Sequence, residues 1–131
     1  MSRSDGVLII DDDEDDCIMV GEGLRQIGIL ERIEYRLGVK EGLEFLEDQK
    51  ERLPKVVIID MNMPLMNGTN GLKKIIESFN VKVIMYTTYC TVELVKEVKT
   101  LGGLDCVKKG TSYADNLKFA RRVFDLRKET K

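Results

Sequence analysis

The sequence predicts an α/β protein whose five-stranded parallel sheet is covered by helices on both faces. Short apolar runs rich in β-branched residues recur along the chain, and amphipathic stretches of helical period separate them. Strand and helix alternate from end to end. Parallel neighbours need a crossover, and right-handed crossovers place helices on the two sides of the sheet.

The elements follow in order. Val7 to Ile10 is too short for a helix and reads as a buried strand. Cys17, Val20, Leu24 and Ile27 mark one face of the helix that follows. Ile33, Tyr35 and Leu37 alternate with Glu34 and Arg36, the pattern of a half-exposed strand at a sheet edge. Val39, Leu43 and Leu46 predict a second helix, and Val56 to Ile59 a buried strand. Leu72, Ile75, Ile76 and Phe79 line a third helix, followed by a strand over Val81 to Tyr86. A fourth helix carries Leu94, Val95, Val98 and Leu101, and Leu104 to Val107 is the last strand. Tyr113, Leu117, Ala120 and Phe124 are the expected buried face of a final helix.

With 131 residues, 43% of them hydrophobic and 34% charged, the chain has the make-up of one ordinary globular domain, expected over residues 1–131. There is no repeat, low-complexity tract or Ser/Gly/Pro-rich linker, and the only prolines are Pro54 and Pro64. A net charge of −2 gives no basic stripe for nucleic acid. Cys17, Cys90 and Cys106 are odd in number and lack CxxC spacing, as expected of thiols in a reducing compartment. The apolar run after the polar residues 1–6 is too short for a signal-peptide core or a membrane span, so a cytoplasmic protein is expected. Histidine is absent, which removes Ser-His and Cys-His pairs and the usual zinc ligands.

Ligands of open parallel sheets bind beyond the carboxyl ends of the strands. The first strand is followed by Asp11, Asp12, Asp13, Glu14, Asp15 and Asp16, and the third by Asp60. The fourth leads into Thr87 and Thr88, the fifth into Lys108 and Lys109. Carboxylates crowded at one rim repel each other unless a cation compensates, and oxygen ligands with room for water and phosphate oxygens suit Mg2+. Asp11, Asp12 and Asp60 are therefore the expected metal ligands. Plainer readings stand beside this one. Acids at a helix start favour the helix dipole, which accounts for Asp13 to Asp16. A lone Asp60 could cap a helix, Thr87 could close a strand, and Lys109 could be an ordinary exposed lysine. A hydroxyl and an ammonium delivered to the same rim as the acids nevertheless match what a transferred phosphoryl group requires.

This ordered set, with VLIIDDD, IIDMNMPLMNG and VIMYTT at the expected strands, resembles the receiver domain of bacterial two-component response regulators over essentially the whole chain. The DDDEDD opening is most similar to stand-alone regulators found beside phytochrome-type sensor kinases. The resemblance implies a flavodoxin-like strand order of 2-1-3-4-5. It also implies phosphoryl transfer to Asp60 from a phosphohistidine on a sensor histidine kinase or a histidine phosphotransfer protein, within a phosphorelay. Asp11, Asp12, Asp60 and the backbone carbonyl of Asn62 would hold magnesium, while Thr87 and Lys109 would contact phosphoryl oxygens. Such a protein is a phosphoacceptor that catalyses its own phosphorylation and slow dephosphorylation, not an enzyme acting on a separate substrate. Its surface of fourth helix, fifth strand and fifth helix would rearrange for a downstream protein.

Two positions depart from the family pattern. Cys106 stands where many receivers carry an aromatic, which puts the usual threonine-aromatic coupling in doubt. Gly110 stands where many carry proline after the lysine, which should loosen that loop. The alternatives are a receiver-shaped binding module that works without phosphorylation, a cofactor protein of the same architecture, and an aspartyl-phosphate hydrolase. The acidic first loop is a poor phosphate cradle, and Asn62 replaces the second aspartate that such hydrolases use as acid/base. Thr88 and Tyr89 are expected to tune loss of the phosphoryl group. Lys118, Arg121 and Arg122 on the last helix could meet an acidic partner or a second copy, the plainer reading being a solvated face.

Overall fold

The computed structural model describes residues 6–29, 31–60 and 68–128. Five strands, β1 (Val7–Ile10), β2 (Ile33–Arg36), β3 (Val56–Ile59), β4 (Lys82–Thr87) and β5 (Asp105–Lys108), form one parallel sheet in the order β2-β1-β3-β4-β5. The helices between and after them are α1 (Glu14–Gln26), α2 (Val39–Asp48), α3 (Gly68–Ser78), α4 (Val92–Thr100) and α5 (Tyr113–Leu126). The predicted fold class and sheet edge are those observed. β4 and β5 each begin and end one residue later than expected, so Thr87 and Lys108 are strand residues.

Side chains alternate across a pleated strand, so each central strand feeds two cores. Leu8, Ile10, Val57, Ile59, Val83 and Met85 face α2, α3 and α4. Val7, Ile9, Val56, Ile58, Ile84 and Tyr86 face α1 and α5. All twelve are buried, each contributing about 1.5–3 kcal/mol of apolar burial where the side chain is large. A register slip would exchange the two cores, which holds the strand ends level at one rim.

The helix starts carry local signals. Asp13 caps α1 by accepting from the backbone N–H groups of Asp15 and Asp16, and Thr91 caps α4 through the N–H of Leu94. Ser112 and Asp115 form a reciprocal capping box on α5. The chain turns after α1 and α4 at Gly28 and Gly102, both at φ 104°, a region that glycine enters without a Cβ penalty.

The buried face of α5 differs from the expected one. Asn116, Phe119, Ala120, Val123 and Leu126 are buried, whereas Tyr113 is 65% exposed. A polar residue inside the buried stripe hides the true period. Asn116 is accommodated because its Nδ2 donates to the carbonyl of Met19 in α1 at 2.8 Å. In α2 the pattern also omitted Phe45, which is buried beneath the guanidinium groups of Arg32 and Arg36 at 5.3 and 4.6 Å from its ring centroid.

Candidate functional site

Because all five strands run the same way, their carboxyl ends open on one rim, and strand order reverses there between β1 and β3. Asp11 and Asp60 continue those two strands side by side, with the Asp60 N–H donating to the carbonyl of Ile10 at 3.0 Å. Carboxylate oxygens of Asp11, Asp12 and Asp60 lie within 4.8 Å of one another. Asp11 and Asp60 are buried, whereas Asp12 is exposed, so the group is a half-open cup of hard oxygen donors.

β5 delivers the cation. The backbone N–H of Lys109 donates to the carbonyl of Thr87 at 2.7 Å, which ties the end of β5 to that of β4. From there Lys109 Nζ reaches back over the sheet, donating to Asp11 Oδ2 and Asp16 Oδ2 at 3.0 Å each and lying 3.6 Å from Asp60 Oδ2. Its side chain is only 15% exposed, so the reading of Lys109 as an ordinary surface lysine fails. The ammonium also lies 5.7 Å from the centroid of the Tyr86 ring, which stacks on Phe119 at 3.8 Å with 8° between planes.

The electrostatics follow from burial and pairing. Burial pushes the Asp11 carboxyl up to about 6, against the backbone N–H of Asp13 and the Lys109 ammonium, which pull it down. Burial disfavours the Lys109 ammonium, yet the hydrogen bonds it donates to Asp11 and Asp16 outweigh that and hold its pKa above the ordinary lysine value. Beneath the acids, the Cys17 thiol donates to the Asp11 carbonyl at 3.5 Å and is pushed up to about 12, first by burial and then by the Asp11 charge.

Thr87 is fully buried at the end of β4, and its Oγ1 accepts the N–H of Tyr89 at 3.4 Å. Asn62, the remaining expected site residue, lies outside the described residues. Asp16 is the residue that sequence reasoning missed, having been assigned to the helix start together with Asp13. Its signal was its place four residues before Val20, a buried residue of α1 and therefore on the same helix face one turn earlier.

Gly110 has a packing role as well as a conformational one. A Cβ at this position would lie 2.2 Å from Asp115 Cβ, and Asp115 is held by accepting from the N–H groups of Thr111 and Ser112. The expectation of a loosened loop is therefore revised. Glycine lets the segment after Lys109 press against the start of α5.

The family model of the response regulator receiver domain matches residues 7–120. The chain belongs to this family, the receiver domains of two-component systems. It is 35% identical over 107 residues to the transcriptional regulatory protein LnrK of Bacillus subtilis, covering 80% of this chain and 47% of LnrK. Sporulation initiation phosphotransferase F, also of Bacillus subtilis, is 31% identical over 100 residues, covering 75% of this chain and 76% of that protein. The chain thus spans about half the length of LnrK. Among solved structures, the phosphorylated cyanobacterial phytochrome response regulator RcpA matches with a TM-score of 0.81 at 13% identity, over 95% of this chain and 94% of that one, a likeness of fold. Among the described residues no helix is long and apolar enough to cross a membrane.

Proposed function

We propose that this chain is a single receiver domain over residues 1–131 that accepts a phosphoryl group on Asp60. The observation that carries the reading is the meeting of three carboxylates with the Lys109 ammonium at the carboxyl rim of the sheet. In the transfer, an Asp60 carboxylate oxygen bonds to phosphorus as the P–N bond to the donor imidazole breaks, and the imidazole leaves with a proton. Such transfers pass through a loose in-line transition state, so positioning and charge neutralisation are the protein's contribution.

The hard, partly open oxygen set fits Mg2+, which Asp11, Asp12 and Asp60 would hold together with the backbone carbonyl of Asn62. When bound, the ion supplies positive charge to the phosphoryl oxygens. Lys109 exchanges its bond to Asp11 for one to a phosphoryl oxygen. Thr87 Oγ1 uses its lone pair on the Tyr89 N–H, which leaves its own proton to donate. With Asn62 in place of an acid, no second carboxylate speeds hydrolysis, and exposed Tyr89 and Thr88 set water access to Asp60.

The donor is a phosphohistidine on a sensor histidine kinase or histidine phosphotransfer protein, a reading supported by family membership. The output is a population shift of the α4-β5-α5 face toward a downstream protein. The protein works in the cytoplasm, away from nucleic acid and membrane, and a second copy could share that face. The test is intact mass after incubation with acetyl phosphate, with and without Mg2+, beside Asp60→Asn. One magnesium-dependent phosphoryl adduct, lost in the variant, is expected. An adduct that persists in D60N, or none in the unmodified protein, overturns the reading.

A further inference from the structure

Two of the three cysteines play no part in the site described above, yet they meet. Cys90 lies in the loop after β4, three positions past Thr87, and Cys106 lies in β5, three positions before Lys109. Their sulfurs are 3.4 Å apart, and Cys90 Sγ is also 3.2 Å from the carbonyl oxygen of Cys106. Cys106 is 6% exposed and Cys90 is partly exposed, so an oxidant reaches Cys90 first. Cys17 packs in the core on the opposite face of the sheet and is removed from the pair.

We propose that Cys90 and Cys106 form a redox-active dithiol that a peroxide closes into an intrachain disulfide, clamping the loop after β4 onto β5. The Cys90 thiolate attacks the peroxide, the O–O bond breaks, and a sulfenic acid forms with release of hydroxide or alkoxide. The Cys106 thiolate then attacks the Cys90 sulfur. The S–O bond breaks, the S–S bond forms, and the hydroxyl leaves as water once protonated. Each sulfur is oxidised by one electron overall and the peroxide is reduced by two. Closure needs the sulfurs to approach by about 1.4 Å, within the reach of loop adjustment.

Burial, followed by the neighbouring Cys90 thiol, pushes the Cys106 thiol up to about 12, which makes it the slow partner that resolves the sulfenic acid. All of α4 lies between the two cysteines, so the disulfide would close a covalent loop that contains that helix. Restraint of the switch by this covalent loop rests on the function proposed above, whereas formation of the disulfide does not.

The test is hydrogen peroxide titration of the reduced full chain, read by intact mass and by peptide mapping without reductant. A mass loss of about 2 Da is expected, with Cys90 joined to Cys106, Cys17 free, and full reversal by a dithiol reductant. Cys90→Ser should abolish the loss. Cys106→Ala should instead accumulate a Cys90 sulfenic acid of about +16 Da that dimedone traps. Unmodified protein that gains only oxygen at Cys90, a bond mapped to Cys17, or a bond between two chains overturns the proposal. Acetyl phosphate applied to the same reduced samples reads Asp60 separately, so failure of that adduct leaves the disulfide result standing.

Discussion

Lys109 and Asp11 are 98 positions apart in the chain, and their side chains meet at 3.0 Å over the carboxyl end of the sheet. The ammonium draws on carboxylates that a divalent ion held by the proposed site would also use, so lysine and metal would compete for them. At that separation a unit charge acts with about 5.5 kcal/mol at an effective dielectric near 20, before screening by salt.

Replacing that lysine should therefore separate metal binding from chemistry. In Lys109→Ala the acids lose their internal counter-charge, and Mg2+ affinity measured by isothermal titration calorimetry should rise about fivefold or more, roughly 1 kcal/mol. Phosphoryl uptake should nonetheless fall by about a hundredfold, as when one charge-stabilising donor is removed. Equal or weaker Mg2+ binding in the variant would show that the ammonium does not compete.

The buried Asp11 charge costs the fold stability at neutral pH. Its folded pKa of about 6 stands above the ordinary 3.8, so between those values the folded state keeps a proton that the unfolded state has lost. Stability then falls as pH rises through that window, by up to about 3 kcal/mol. Asp11→Asn removes this charge and keeps one oxygen to accept from the Asp13 N–H, while its Nδ2, a donor, no longer accepts from Lys109, which offsets part of the gain. Urea unfolding of the metal-free variant at pH 7 should show it about 1–2 kcal/mol more stable than the parent, with no advantage near pH 4 and no stabilisation by Mg2+. A metal-free variant less stable at pH 7 would refute the argument.

Gly110 tests the packing at the start of α5. Gly110→Ala sets a methyl 2.2 Å from Asp115 Cβ, an atom too close to the backbone to swing aside. The strain should cost about 1–3 kcal/mol in chemical denaturation. Ser112→Ala, which removes one half of the capping box without a clash, should cost about 1 kcal/mol. If Gly110→Ala unfolds at the parent midpoint, the close approach is not a feature of the folded protein.

The strands were legible because their signal is local. Val7–Ile10 and Val56–Ile59 are unbroken apolar runs, and both faces of these strands are buried. Edge strand β2 showed itself by the alternation of Ile33 and Tyr35 with Glu34 and Arg36, although all four are half-buried and Leu37, expected to continue the pattern, lies beyond the strand and is 47% exposed. α5 was misread because Asn116 sits among its buried residues, and only a carbonyl of α1 makes a polar group tolerable there.

The sequence by itself determined the alternating α/β order, the parallel sheet and the delivery of acids, threonine and lysine to strand ends, since each depends on periodicity and chain direction. Tertiary structure alone decided that the Asp16 side chain, in the first turn of α1, pairs with Lys109, that Gly110 presses on Asp115, and that Cys90 meets Cys106. These are contacts between elements distant in the chain, set by how helices seat on the sheet. No local pattern encodes the distance between two side chains that only packing brings together.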